Sequence, residues 1–151
     1  MAVEIRTEAQ LNKALSTITL SVLDDVLENM RDALENCIEE EVYSTYEPMY
    51  YERTYDFRMA WEVEKAKIIG AAMSGEIDFN PDLLDVDETY FQHTQAEQLA
   101  ELVYNGYPPN WTNAVNSTPA RNYWNPFITI VNDNFRNWVK EGYIKRGLVV
   151  L

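Results

Sequence analysis

The chain of 151 residues has one cysteine, one histidine and five glycines, and each scarcity removes a kind of chemistry. With Cys37 as the single thiol there is no intrachain disulfide and no multi-cysteine zinc or iron–sulfur site. With His93 as the single histidine there is no two-histidine metal motif, and a lone histidine beside a predicted helix cap reads as structural. The glycines are scattered, so no glycine-rich phosphate loop and no G-x-S-x-G elbow can be assembled. No uninterrupted apolar run approaches the ~18 residues that a membrane-spanning helix requires. Bases are outnumbered as well, 12 against 25 acids, for a formal net charge of -13. Such a surface repels the phosphate backbone, which argues against a module that reads DNA or RNA. The start lacks the basic-then-apolar pattern of a secretory signal, so an intracellular protein without cofactor, metal or membrane partner is expected. Two N-glycosylation patterns, at Asn110 and Asn116, then read as chance matches.

What remains is a chain that is 46% apolar and of a length that buries one core. Its charge is unevenly spread. Residues 1–52 carry twelve acids and three bases, residues 53–105 eleven and four, and residues 106–151 two and five. One reading is a solvated acidic face; the sharper one is that the basic end of one copy meets the acidic region of another.

The element pattern is α+β, with a long N-terminal helix and a C-terminal helix packed on a small antiparallel sheet, all within one structural domain, 1–151. Over 1–45, Thr7 and Gln10 have the spacing of a capping box, and apolar residues from Leu11 to Val42 recur at steps of three or four. Ser16, Thr17, Thr19 and Ser21 weaken that helix and allow a bend. Pro48 ends the pattern and opens the aromatic joint and sheet of 46–80. There Thr54 can cap a short turn through Phe57 or Met59. Trp61 to Glu64 alternate as a strand, Lys67 to Met73 continue as a strand or hairpin arm, and Ser74-Gly75 offers the turn before Glu76 to Phe79. Over 81–118 an acidic loop, Asp82 to Glu88, precedes a short helix that starts with the capping box Thr94 to Glu97 and closes at Asn105-Gly106. Over 119–151 a helix starts at Asn125-Pro126 and runs to Gly142, followed by a tail ending Leu148 to Leu151 that can extend a sheet.

Candidates for chemistry are weak. Asp82, Asp85, Asp87 and Glu88 lack the glycine and closing glutamate of an EF-hand loop. Glu62 and Glu64 point to one face of a strand and read as exposed. The stretch from Tyr46 to Lys65 holds six aromatic residues, enough for a base-stacking platform. Arg53 and Arg58 are offset there by five acids, so the positive groove of such a platform is missing. Burial against polypeptide is the remaining role for these rings, with Arg53 and Arg58 contacting acids on the long helix or on a neighbouring copy.

The order of features resembles the tail-completion, or neck, proteins of tailed bacteriophages over nearly the whole chain. The resemblance rests on "VYSTYEPMYYERTYDFRMAW", Val42 to Trp61, on "AELVYNG", Ala100 to Gly106, and on "PARNYWNPFITIVNDNF", Pro119 to Phe135. The string Tyr46 to Thr54 is similar to strings in structural proteins of phages that infect thick-walled bacteria. Thr54 to Arg58 stands where that family carries a Thr-Gly-x-Leu-Arg element, with Tyr55 in place of the glycine. Ala120-Arg121 through Pro126-Phe127 stands at the Ala-Arg-Pro-Phe-like start of the family's last helix, with extra residues before the proline.

The resemblance implies a non-catalytic structural protein of the virion head–tail connector, assembled in the host cytoplasm. It would form a ring of identical subunits, a hexamer or dodecamer, docked to connector and tail proteins. An acidic lumen would let DNA pass without sequence-specific binding. The candidate interface is then Tyr46, Tyr50, Tyr51, Arg53, Tyr55, Phe57, Arg58 and Trp61 with Lys145 and Arg146 of the basic end. Two rival readings stand: an acidic cytoplasmic binding protein that inhibits a nucleic-acid enzyme, and a small enzyme using His93 with nearby acids.

Overall fold

The computed structural model describes residues 5–45, 56–84, 97–106 and 120–148. Helix α1 spans Glu8–Ile38 and starts where the capping pattern puts it. Thr7 is extended, and its hydroxyl accepts from the Gln10 N–H at 3.2 Å. The Gln10 carboxamide reaches one residue further back than a capping box requires and accepts from the Arg6 N–H at 2.9 Å. The helix runs unbroken through Ser16 to Ser21, where two of the hydroxyls, those of Thr19 and Ser21, are engaged by the C-terminal part of the chain. Thr17 donates to the Lys13 carbonyl at 3.0 Å, Thr19 shares a hydrogen bond with the Tyr143 hydroxyl at 2.9 Å, and Ser21 receives Arg146. The predicted continuation to residue 45 takes a wider pitch: Glu39–Tyr43 form a π turn, with the Ser44 N–H donating to the Glu39 carbonyl at 2.9 Å.

Strands β1, Trp61–Ile69, and β2, Ala72–Phe79, form a two-stranded antiparallel hairpin after the short helix α2, Asp56–Met59. The turn predicted at Ser74-Gly75 lies instead at Gly70-Ala71, where Gly70 adopts φ 62° between the paired residues Ile69 and Ala72. Ser74 and Gly75 are inside β2. There the pairing steps from Glu64 opposite Glu76 to Lys67 opposite Ser74, which leaves Lys65 and Ala66 opposite Gly75 alone. This bulge frees the Ala66 N–H, which donates to the Asp24 carboxylate of α1 at 2.7 Å. Gly75 has no Cβ, and the Leu27 side chain of α1 lies against it. One defect in the ladder therefore supplies both the polar and the apolar contact that dock the hairpin on α1. At the base, the Asn80 N–H donates to the Ala60 carbonyl at 2.7 Å.

The acidic loop expected from Asp82 opens as a 3-10 turn, Pro81–Leu83, capped by the Asn80 carboxamide oxygen, which accepts from the Asp82 N–H at 3.0 Å. The caps expected at Thr54 and Thr94, and the tail beyond Leu148, lie outside the described residues. Helix α3 spans Leu99–Asn105 and ends at Gly106 with φ 83°. Helix α4, Trp124–Lys145, begins one residue before the predicted Asn-Pro start, and the Asn122 carboxamide accepts from the Asn125 N–H at 3.2 Å. Gly142 is not its terminator. It sits inside the helix, buried against Val22, and a Cβ there would meet Val22 Cγ1 at 2.8 Å. The stop comes at Gly147, φ 80°: the Gly147 N–H donates to the Ile144 carbonyl and the Leu148 N–H to the Tyr143 carbonyl, a Schellman ending.

α4 runs antiparallel to α1, with Tyr143 beside Thr19 and Phe127 in one cluster with Leu34 and Ile38. Val22, Val26, Leu34 and Ile38 are the largest fully buried side chains, each contributing about 1.5–3 kcal/mol by the area it removes from water. At the far end of α1 the core is aromatic. Phe57 stands edge-on to Tyr123 at 5.6 Å, and Trp61 is tilted on Phe79 at 5.3 Å. The Tyr123 hydroxyl donates to the Ala100 carbonyl at 2.9 Å and ties α3 to the start of α4. Burial raises the pKa of that hydroxyl well above the usual tyrosine value.

Candidate assembly interface

The sequence placed an interface on the tyrosine-rich stretch and the basic end. Tyr46, Tyr50, Tyr51, Arg53 and Tyr55 lie outside the described residues, as does His93. Phe57 and Trp61 are 7% and 8% exposed. As rings offered to a partner they are corrected: the chain's own core encloses them, because residues four apart across α2 and the start of β1 turn inward together. Arg58 reaches an acid of the first helical segment within the same chain, donating to Glu39 at 2.7 Å. Arg146 and Lys145 also meet an acid of their own chain, approaching Asp25 to 2.8 Å and 3.4 Å. Among the described residues no group of three or more His, Cys, Asp or Glu is placed to hold a metal ion.

Two surfaces that sequence reasoning did not single out stand instead. The first is a groove of about 900 Å³ between α1 and the hairpin. Its apolar lining comes from Val63, Phe79 and the exposed Met59 and Leu83, with the nearly buried Trp61. Its rim carries Glu28, Glu35, Glu62, Glu64 and Asp78 against the single base Arg31, which already pairs with Glu28 at 2.9 Å and Glu35 at 3.4 Å. On the hairpin the acids face each other: Glu62 is directly opposite Asp78, and Glu64 directly opposite Glu76. Like charges opposed across a ladder destabilise a hairpin. Lys67 relieves one of these pairs by bonding Glu64 at 2.8 Å, which lowers the Glu64 pKa. The Trp61 indole N–H is buried without a hydrogen-bond partner among the described residues.

The second surface is an exposed stripe of α4. Ile128 and Phe135 are 40% and 44% exposed, and Arg136 and Lys140 stand exposed beside them. The two bases are one helical turn apart, a spacing at which like charges cost about 0.2–0.5 kcal/mol. Neither forms an ion pair among the described residues, with Asp133 one turn earlier included. The apolar residues of this stripe were visible in the helical spacing. Their exposure was not, because it depends on which side of α4 meets α1. The acidic pairs were hidden for a similar reason, since strand register decides which carboxylates are neighbours.

No helix among the described residues is long and apolar enough to cross a membrane. Neither the curated proteins nor the solved structures give a significant match to this chain. A protein-family model, YomN, matches residues 7–145, from the residue that caps α1 to the last residue of α4. The unit that the family defines thus coincides with the fold of two long helices and a hairpin, and the chain belongs to the YomN family.

Proposed function

We propose that the protein is a structural component of a phage particle, a tail-completion or neck subunit that acts by self-assembly into a ring and by docking connector and tail proteins. The observation that carries this reading is the pairing of neighbouring like charges with uncovered apolar surface on two different elements, the hairpin groove and α4. A subunit surface gains from both arrangements. Membership of a phage-type family supports the same setting. The acidic surface fits a channel through which DNA moves without adhering.

Particles purified from an infected host and labelled with an antibody against this protein test the reading by electron microscopy. Label at the neck is expected, and particles lacking the protein should accumulate as separate heads and tails. Label absent from particles, or confined to the capsid shell or tail tip, overturns it. Recovery of the protein with a DNA-processing enzyme instead would favour an acidic inhibitor.

A further inference from the structure

The groove and the α4 stripe are complementary in each respect that matters for docking. The groove offers the exposed Met59 and Leu83 among carboxylates, and the stripe offers two apolar side chains beside two bases. Each surface sets two like charges at neighbouring positions, Glu62 opposite Asp78 on one and Arg136 one turn from Lys140 on the other. Such pairs oppose folding, and a charge of the other sign brought by a neighbour relieves them. Within one chain no ion pair joins Arg136 or Lys140 to the groove. From Ile128 to Lys140 the stripe runs ~18 Å along the helix, long enough to carry two apolar contacts and two charges to one neighbour.

We propose that successive copies associate head to tail, the α4 stripe of one copy seating Ile128 and Phe135 in the α1–hairpin groove of the next, with Arg136 and Lys140 against the carboxylates of Glu62 and Asp78. The occupant is a second copy because this chain itself supplies the matching surface in equal amount. Since the two surfaces differ, the contact is heterologous and leaves a free groove and a free stripe at the ends of any open string, so it propagates until a ring closes. The inference deepens the self-assembly reading and rests on it, but it concerns solution behaviour and is tested apart from location in a particle.

The test uses the full chain in sedimentation velocity and light scattering, with wild type compared at low and high salt. Wild type should form oligomers that weaken as salt rises. The stripe variant R136E/K140E and the groove variant E62K/D78K should each associate at least about a hundredfold more weakly than wild type. Mixed in equal amounts they should regain assembly, because each reversed stripe then meets a reversed groove and each native stripe a native groove. A mixture that remains monomeric, a variant that assembles like wild type, or a wild type that is monomeric at all concentrations overturns the proposal. A wild type that is monomeric in solution but labels the neck would overturn this contact and leave the proposed function standing; an assembling protein absent from particles would do the reverse. Circular dichroism and melting check that each variant folds. If a reversed pair does not, the neutral variants R136Q/K140Q and E62Q/D78N replace it, and each should still weaken association; wild-type assembly by both would equally overturn the contact.

Discussion

Arg146, the C-cap of α4, donates to the Asp25 carboxylate of α1 at 2.8 Å, to the Ser21 carbonyl at 2.7 Å and to the Gly142 carbonyl at 2.9 Å. One guanidinium therefore fastens the last turn of one helix to the middle of the other, at a position only 19% exposed. Replacing Arg146 by Ala should lower stability to urea by about 1–2 kcal/mol, charge-assisted bonds being discounted for the solvent that reaches Asp25. Arg146→Lys should recover only part of that, because one ammonium cannot serve three acceptors in a planar fork.

The same contact has a pH signature. The hydrogen bond from Arg146 holds the Asp25 carboxyl below its ordinary value of 3.8, with burial opposing and Lys145 adding a smaller pull. A depressed folded pKa means that the folded state binds fewer protons. The contribution is thus complete above the ordinary value and is lost as pH falls through the depressed one. Asp25→Asn should lower stability at neutral pH by under about 1 kcal/mol and flatten the fall in melting temperature between about pH 4 and pH 2. A variant whose acid limb matches wild type would show that Asp25 titrates without coupling to the fold.

Gly142 makes a prediction opposite to the usual rule. Glycine to alanine inside a helix normally stabilises by about 0.5–1 kcal/mol. Here the new methyl would stand 2.8 Å from Val22 Cγ1, and Val22 is 1% exposed with a stiff branched side chain. Gly142→Ala should destabilise by about 1–2 kcal/mol. Adding Val22→Ala should cost less in that background than in wild type, which a double-mutant cycle in chemical denaturation would read as coupling.

The bulge in β1 depends on a single external acceptor. Asp24→Ala would leave the Ala66 N–H without its partner on α1 and should cost about 1–2 kcal/mol. Amide exchange at Ala66 should accelerate much more than exchange at the base of the hairpin, where the Asn80 N–H and Ala60 carbonyl keep their bond. Equal acceleration at both places would mean that the hairpin opens as a unit.

Arg58 and Glu39 keep 32% and 41% of their side-chain surface in contact with solvent, so their 2.7 Å pair, discounted for that screening, should contribute about 1 kcal/mol or less to folding. Charge reversal at Arg58 together with Arg53 tests whether the tyrosine-rich stretch acts in assembly. Loss of oligomers with only a small fall in melting temperature, from the lost Arg58–Glu39 pair, is expected if that stretch is a joint. Unchanged assembly and melting would remove it from the interface.

Much of the helical framework was legible, because a capping residue and a three-to-four repeat are local signals that tertiary packing did not override. Thr7 and the stripe from Leu11 to Val42 marked α1, and Trp61 to Glu64 marked a strand by alternation. The π turn was not legible, since an extra residue per turn leaves the apolar spacing of Ile38 and Val42 almost unchanged. Gly142 and Ser74-Gly75 misled for one shared reason. Glycine reads locally as a place where the chain turns, but both positions need glycine because a side chain of α1 occupies the space beside them, Val22 in one case and Leu27 in the other. The candidate interface was the least legible part. Clustering of aromatics predicts burial, yet sequence alone does not say whether a ring is covered by its own chain or by a neighbour. Phe57 and Trp61 went to the core, while the groove above them arises from strand register.

α1 outreaches its companion helix. Tyr143, near the end of α4, lies beside Thr19, and every residue from Ile5 to Lys13 is exposed. Two free turns of helix are far shorter than the ~12–15 residues that hold helical form unaided in water, so this leading segment is stable only as an extension of the packed turns beyond Thr19. It should be the first part of α1 to fray on warming, and the part whose amides gain most protection when the subunit takes its place beside others.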